Sequence, residues 1–197
     1  VIFEAQPRPG GMLVQAIPEY QLPRETLARE IRMIERLGVD LRTEQKLGRD
    51  FTLQGLREEG YEALFLAPGA AKCVGLDIPG ANATPDGPGA NATRGERRGV
   101  SSGSPAGSRG PGDIVEAVEF LRQYNVRGSV PVGKEVIVIG GGNAAVDAAR
   151  TAVRLGAKVT IVYRRTREQM PAYSEEIEEA LHEGIELKVL TQPEEVL

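Results

Sequence analysis

The chain has 197 residues, enough for one large domain or parts of two, and 41% hydrophobic residues suit a globular core. A formal net charge of -4 argues against a nucleic-acid partner, which normally requires a basic surface. No apolar run is long enough for a membrane span, and the first residues do not have a signal-peptide layout. We therefore expect a cytoplasmic protein without nucleic-acid or membrane partners.

The single cysteine, Cys73, limits the redox chemistry that the chain can carry out alone. One thiol cannot form an intrachain disulfide, a CxxC pair, or a cysteine-based zinc or iron–sulfur site. Any electrons that pass through the chain therefore need a bound organic cofactor. We expect Cys73 to be inert packing, the lone His182 to lie on a helix surface, and no residue to bind a metal.

The first 80 residues alternate short strands and helices. Apolar residues at helical spacing predict a helix that ends before Gly38. The expected elements are a strand over 1–5, a helix over 24–37, a strand over 39–43, a short helix capped by Thr52 and ending at Gly60, and a core strand over 63–67.

Residues 81–112 differ in composition from the rest of the chain. They are rich in Gly, Pro and Ser, and Val100 is their only large apolar side chain. Because such a stretch cannot bury enough surface to offset its ordering entropy, we expect a flexible low-complexity insertion. A connecting helix and linker are expected over 113–132, with Asp113 and Glu116 forming a start that resembles a capping box.

The segment 133–197 has the βαβαβ order of a parallel sheet, which predicts an α/β, Rossmann-like fold. Apolar runs that are short enough for buried strands alternate with longer helical patterns. The expected elements are a strand over 136–139, a helix over 143–155, a strand over 159–163, a helix over 174–183 and a strand over 185–190.

A glycine-rich motif follows the first strand of this segment and matches the dinucleotide pattern G-x-G-x-x-A. It consists of Gly140, Gly141, Gly142, Asn143, Ala144 and Ala145. Gly140 permits the tight turn, Gly142 lets the backbone approach a pyrophosphate, and Ala145 allows close helix–strand packing. The phosphates then face the first free N–H groups of the helix. The alternative is a glycine-rich turn without a ligand.

Basic residues follow the second strand of the same segment, where an NAD site usually has Asp or Glu for the ribose 2′-hydroxyl. The chain instead has Arg164, Arg165 and Arg167. Arginine offers planar, charge-assisted pairing to phosphate, so the cluster favours the 2′-phosphate of NADP(H). The alternative is a solvated basic turn.

These residues resemble the NADPH-dependent glutamate synthase small-subunit family, whose FAD- and NADPH-binding module also occurs in dihydropyrimidine dehydrogenase. The resemblance covers residues 1–80 and 113–197. It is carried by Phe3-Glu4, Pro9-Gly10-Gly11-Met12, Ile17-Pro18, Leu22-Pro23, Gly60-Tyr61, Ala67-Pro68-Gly69-Ala70, Ile78-Pro79-Gly80, Gly140-Gly141-Gly142-Asn143, Asp147-Ala148-Ala149-Arg150, and Tyr163-Arg164-Arg165 with Met170-Pro171-Ala172.

The resemblance implies a partial FAD-binding domain over 1–80 and a partial NADP(H)-binding domain over 133–197. The glycine loop for the FAD pyrophosphate is expected before Val1, and the closing FAD segment after Leu197. The resemblance also implies roles for five residues toward FAD. Glu4 is expected to accept from the adenosine ribose, Gly10, Gly11 and Met12 to lie along the flavin, and Leu47 to reach the adenine through its backbone.

For function, the resemblance implies hydride transfer from NADPH to FAD, with electrons passing onward to an iron–sulfur or large catalytic subunit. One alternative is an NADP(H)-binding module without turnover, because its FAD site is incomplete. Another is a disulfide reductase of related fold, which the single cysteine disfavours. No general acid or base is predicted, since this chemistry belongs to the cofactors.

Overall fold

The computed structural model describes residues 1–69, Pro79 and residues 114–195. Cys73, the expected insertion over 81–112 and Asp113 lie outside the described residues. The described chain divides into two compact units, one of which contains residues 1–69 and Ala117–Val130, while the other includes residues 131–195. In the part that is described, no helix is both long and apolar enough to cross a membrane.

The first unit contains a small parallel sheet and four helices. Its two strands pair in parallel, with Ile2 opposite Leu41 and Phe3 opposite Arg42. The elements are β1 (Ile2–Phe3), α1 (Met12–Gln15), α2 (Arg24–Arg36), β2 (Leu41–Arg42), α3 (Leu53–Glu58) and α4 (Ala117–Arg127).

Two helix signals in the first unit act as the sequence predicts. Leu27 on the apolar stripe of α2 is buried, and the chain turns just after the helix at Gly38, whose φ of 89° favours glycine. Thr52 caps α3, because its hydroxyl accepts a hydrogen bond from the Gly55 N–H at 3.0 Å.

Two expectations for local structure are wrong. Residues 63–67 do not form a core strand: Phe65 is 93% exposed, and no strand of the described chain pairs with this stretch. An apolar run alone cannot make a strand without a neighbour that accepts its backbone hydrogen bonds. Helix α4 begins at Ala117 rather than directly after Asp113, and Glu119 pairs with Arg122 at 2.7 Å in its first turns.

The second unit is built on a three-stranded parallel sheet in the order β3-β4-β5. Val136 lies opposite Val159, and Ile161 lies opposite Leu187. The expected α/β fold with parallel sheets is confirmed. The elements are β3 (Glu135–Ile139), α5 (Asn143–Arg154), β4 (Lys158–Val162), a 3-10 turn (Arg167–Gln169), α6 (Ser174–His182) and β5 (Glu186–Lys188). His182 is exposed, as predicted.

Helix α5 is the most deeply buried element of this unit. Val146 and Ala149 are fully buried, and the side chains from Ala145 to Ala152 are all shielded from solvent. The small alanines let the helix lie close to β3 and β4, since no long side chain separates the backbones. This packing fixes the N-terminus of α5 at the carboxyl end of β3, where ligands bind in parallel α/β sheets.

Candidate dinucleotide site

The glycine motif forms the turn between β3 and α5. Gly140 has a φ of 141°, which favours glycine, and its N–H donates to the Val162 carbonyl of β4 at 3.0 Å. The Gly142 carbonyl accepts the first helical hydrogen bonds, at 2.9 Å from the Ala145 N–H. Within the described residues, the N–H groups of Asn143 and Ala144 have no acceptor. Such free first-turn donors are the groups that bind phosphate at helix N-termini.

Gly141 and Gly142 have different surroundings. A Cβ on Gly141 would lie 2.7 Å from two ring carbons of Tyr163, so this glycine is required by packing inside the protein. A Cβ on Gly142 would meet nothing nearer than Pro171, at 3.9 Å. A Cβ at Gly142 would therefore have room, and this part of the backbone lies beside the two N–H groups that have no acceptor within the described residues.

The segment after the 3-10 turn is attached to the glycine motif. The Ala172 N–H donates to the Gly141 carbonyl at 3.0 Å, and the Tyr173 N–H donates to Asn143 Oδ1 at 3.1 Å. The Tyr163 hydroxyl donates to the Gln169 carbonyl at 2.8 Å, which holds its ring against the turn. Sequence reasoning missed this attachment. The one hint in the sequence is that Gly140-Gly141-Gly142-Asn143 and Met170-Pro171-Ala172 both belong to the motifs that carry the family resemblance.

The arginines of the basic cluster divide into two kinds. Arg167 forms an ion pair with Glu178 of α6. Arg164 and Arg165 are exposed, and no ion pair within the described residues engages either of them. The backbone beneath them is fixed, because the Arg165 carbonyl accepts from the Leu190 N–H at 3.0 Å. Two guanidinium groups are thus available to an anion at the end of β4.

An ion network around the buried Arg150 joins α5 to α6 and to Glu183, the residue that follows α6. The Arg150 side chain is 6% exposed and pairs with Glu179 at 2.6 Å and with Glu183 at 2.7 Å, while Arg154 pairs with Glu183 at 2.7 Å. Burial raises the pKa of the Glu183 carboxyl, but hydrogen bonds from Arg154 and Arg150 outweigh it and hold the pKa below its usual value. The network anchors the helix that follows the arginine-bearing loop.

The residues expected to bind FAD lie in the first unit. Glu4 follows β1, and its Oε1 accepts from the Gln6 N–H at 2.8 Å. Glu4 and Gly10 line one cavity of about 180 Å³. Met12, which begins α1, and Leu47, which bridges to Phe51, do not line that cavity.

Gly10 and Gly11 form a turn that only glycine adopts readily, with φ values of 120° and 52°. A Cβ on Gly10 would also lie 2.8 Å from Val14 Cγ2. This turn leads into α1, whose position depends on residues that sequence reasoning missed.

Arg24 and Asn125 hold the end of α1. The Arg24 guanidinium donates to the carbonyls of Leu13, at 2.9 Å, and Ile17, at 2.8 Å, and burial lowers its pKa. Asn125 Nδ2 of α4 donates to the Gln15 carbonyl at 2.9 Å. These side chains satisfy carbonyls that a short helix leaves without partners.

The glycine turn, the open face over Gly142 and the two arginines agree with a comparison against known families. The model of the family "Pyridine nucleotide-disulphide oxidoreductase" matches residues 7–197. The chain belongs to this family. Its members are oxidoreductases that use FAD and a nicotinamide nucleotide, so the cofactors predicted from the sequence, NADP(H) and FAD, are those of the family.

Several curated relatives of this chain are named as subunits or chains of an enzyme. It is 37% identical to "NADP(+)-dependent formate dehydrogenase subunit beta" of Moorella thermoacetica, over 98% of this chain and 24% of that protein. It is 34% identical to "NADPH-Fe(3+) oxidoreductase subunit beta" of Geobacter sulfurreducens, over 100% and 26%. The resemblance to glutamate synthase small subunits is confirmed at 32% identity to the Escherichia coli protein, over 98% and 37%. The chain thus spans about a quarter of the first two relatives.

Solved structures support the fold. The chain superposes on Mycobacterium tuberculosis FprA in complex with NADPH with a TM-score of 0.63 and 22% identity, covering 91% of this chain and 39% of that one. It also superposes on a 2-naphthoyl-CoA reductase complex with a TM-score of 0.64 and 17% identity, covering 98% and 24%. At this level of identity the likeness supports the Rossmann-like fold.

Proposed function

We propose that this chain is part of an NADPH-dependent FAD oxidoreductase of the glutamate synthase small-subunit type. In this proposal hydride passes from NADPH to FAD, and electrons continue to an iron–sulfur or large catalytic subunit. One observation carries the proposal. In the same unit, the backbone at Gly142 has room for a ligand, and two guanidinium groups, those of Arg164 and Arg165, form no ion pair with any described residue.

The NADP(H) site would use the glycine motif for the pyrophosphate and the arginines for the 2′-phosphate. The Asn143 and Ala144 N–H groups would donate to the pyrophosphate, and Gly142 would admit it because no Cβ is in the way. Arg164 and Arg165 would pair with the 2′-phosphate. Arg167 would contribute less, since it already pairs with Glu178.

The FAD site would lie in the first unit. The Glu4 carboxylate at the carboxyl end of β1 would accept from the adenosine ribose, and the backbone of Leu47 would reach the adenine. Gly10, Gly11 and Met12 would lie along the flavin, held by the α1 contacts of Arg24 and Asn125. When bound, the two cofactors supply the hydride donor and acceptor, and the residues of the chain serve to bind and orient them.

The partner that receives electrons would be an iron–sulfur or large catalytic subunit. The names of the relatives support this proposal, because they describe a subunit beta and a small chain. Cys73 is the only cysteine, so these 197 residues cannot supply the four thiolates of an iron–sulfur cluster. An iron–sulfur acceptor would therefore have to be bound by other residues.

A second candidate is an NADP(H)-binding module without turnover. It is favoured by the small sheet of the first unit, in which β1 and β2 have only two residues each. A visible spectrum of the purified chain separates the candidates. A flavin band that NADPH bleaches supports the enzyme, whereas a colourless protein that NADPH stabilises against heat supports the module.

The assignment of nucleotide preference is tested by the double variant Arg164→Ala/Arg165→Ala. We expect it to weaken NADPH binding by about 1.5–3 kcal/mol for each lost charged contact and to leave NADH binding nearly unchanged. The measurement is calorimetric titration with both nucleotides. Arg127→Ala, which removes an exposed arginine from the end of α4, is the matched control. Equal losses for NADPH and NADH would contradict the assignment.

A further inference from the structure

The Asn143 side chain forms a hydrogen bond within the protein. Its Oδ1 accepts from the Tyr173 N–H at 3.1 Å. Tyr173 is the residue that immediately precedes α6 and that ends the loop bearing Arg164 and Arg165. A residue of the glycine motif thus contacts the far end of the basic loop, 30 positions along the chain.

A second hydrogen bond lies beside the first one. The Ala172 N–H donates to the Gly141 carbonyl at 3.0 Å, and Ala172 itself is buried. We call these two hydrogen bonds, Ala172 to Gly141 and Tyr173 to Asn143, the latch. Its partners on the glycine motif are adjacent to the open face over Gly142, so the latch joins the two halves of the proposed nucleotide site.

The loop between Tyr163 and the latch is braced internally. The Gln169 N–H donates to the Thr166 carbonyl at 3.1 Å, and the Met170 N–H donates to the Arg167 carbonyl at 3.0 Å. The Tyr163 hydroxyl closes the base of the loop by donating to Gln169. Because the loop is tied to itself, a displacement at Tyr173 is transmitted toward the arginines.

The near end of the loop has its own attachment. The Leu190 N–H donates to the Arg165 carbonyl, and the Thr191 N–H donates to the Tyr163 carbonyl at 3.1 Å. These bonds fix the backbone at the end of β4, so losing the latch does not detach the loop. It releases the far end of the loop, and the braced segment from Thr166 to Met170 passes this freedom to the side chains of Arg164 and Arg165, whose backbone stays in place.

We propose that Asn143 is a positioning residue for the preference of NADPH over NADH. Its backbone N–H belongs to the phosphate cradle, and its side chain places the arginine-bearing loop through the latch. This inference rests on the proposed function, in which Arg164 and Arg165 bind the 2′-phosphate. NADH lacks that phosphate, so its binding does not depend on where the loop lies.

The test compares Asn143→Ala, which removes the acceptor, with Asn143→Asp, which keeps it. Calorimetry on the full chain gives the ratio of NADPH to NADH affinity. We expect Asn143→Ala to lower this ratio about tenfold, the effect of one well-placed charged hydrogen bond. Asn143→Asp weakens both nucleotides through its charge but keeps the ratio. Tyr173→Phe, which leaves the backbone donor in place, is the matched control.

Two further measurements separate this inference from the proposed function. In the ligand-free chain, amide hydrogen exchange at Tyr173 should become faster in Asn143→Ala and stay slow in Asn143→Asp. Within the Arg164→Ala/Arg165→Ala background, Asn143→Ala should change the affinity ratio by less than about twofold, because coupled residues are not additive.

An unchanged ratio in Asn143→Ala, or unchanged exchange at Tyr173, overturns the inference. The inference is also overturned if Asn143→Asp lowers the ratio of NADPH to NADH affinity as much as Asn143→Ala does. The side-chain oxygen that accepts from the Tyr173 N–H would then have no effect on the preference. If Arg164→Ala/Arg165→Ala alone leaves the ratio unchanged, the proposed 2′-phosphate site fails. That result is distinguishable, because exchange at Tyr173 reports on the latch without any nucleotide.

Discussion

The two units of the chain stabilise their proposed cofactor segments in different ways. In the second unit a three-stranded parallel sheet buries α5, and the glycine motif is fixed by β4 and by the latch. In the first unit the sheet has two strands of two residues, and the glycine turn depends on side chains that reach the short helix α1.

The difference shows how a nucleotide segment can be held rigid. Backbone hydrogen bonds within a sheet are made by neighbouring residues whatever their side chains, whereas Arg24 and Asn125 each stabilise α1 through a single side chain. Single substitutions should therefore affect the two units differently. In the second unit, the substitutions with the largest effect on stability should be those that remove the buried Arg150 side chain or add a Cβ to Gly141.

The largest expected effect is that of Arg150→Met, which removes the buried partner of Glu179 and Glu183. We expect a loss of about 2–3 kcal/mol in unfolding free energy, because Glu183, whose side chain is 24% exposed, loses its buried cation, whereas Glu179, at 60% exposed, stays solvated. Urea unfolding followed by circular dichroism measures it. Arg154→Met, at a more exposed position of the same network, should cost about 1 kcal/mol. Equal losses for both variants would show that burial of Arg150 is not what matters.

Gly141→Ala should mainly lower the stability of the chain, whereas Gly142→Ala should mainly weaken nucleotide binding. Gly141→Ala places a Cβ 2.7 Å from the Tyr163 ring, and we expect it to lower the unfolding free energy by about 2 kcal/mol. Gly142→Ala has space and a φ of -91°, so it should leave the melting temperature nearly unchanged while weakening both nucleotides. Thermal unfolding and titration with NADPH measure the two effects. A Gly142→Ala variant that melts early but binds normally would contradict this division.

The stability of the second unit should fall in acid because of Glu183. Its pKa is lower in the folded chain than in the unfolded one, so its contribution is present above about pH 4.5 and is lost as the pH falls through the folded value. Glu183→Gln should flatten the pH dependence of the unfolding free energy below about pH 4.5. Glu175→Gln, at an exposed position of α6, is the control. An unchanged slope in Glu183→Gln would contradict the account of the network.

The smallest expected effect concerns the first unit. Asn125→Ala removes the donors to the Gln15 and Ile17 carbonyls and should cost about 1 kcal/mol. Arg127→Ala, at an exposed position of the same helix, is the matched control, and chemical denaturation measures both. If the two variants have equal effects, the attachment of α1 to α4 through Asn125 contributes nothing specific.

Much of the second unit could be predicted from the sequence because its signals are local. The apolar strand before Gly140, the small residues of α5 and the apolar runs of the later strands each determine one element. The strand predicted over 63–67 failed because strand formation depends on a neighbour, which a local pattern does not reveal. The start of α4 was likewise placed too early.

The contacts that complete the candidate site could not be predicted in the same way. Asn143 and Tyr173 meet only after β4 and the loop bring them together, and nothing in either stretch indicates a partner 30 residues away. The same holds for Arg150 and Glu183, which are 33 residues apart. The glycine motif and the arginines could be identified, but the role of Gly141 against Tyr163 appeared only in three dimensions.

The central claim is that the second unit recognises a 2′-phosphate beside the glycine motif. Its most direct test is calorimetric titration of the unaltered chain with adenosine 2′,5′-bisphosphate and with adenosine 5′-monophosphate. The account predicts that the bisphosphate binds at least about tenfold more tightly at low salt and that added salt reduces the difference. Equal affinity for the two ligands would contradict it.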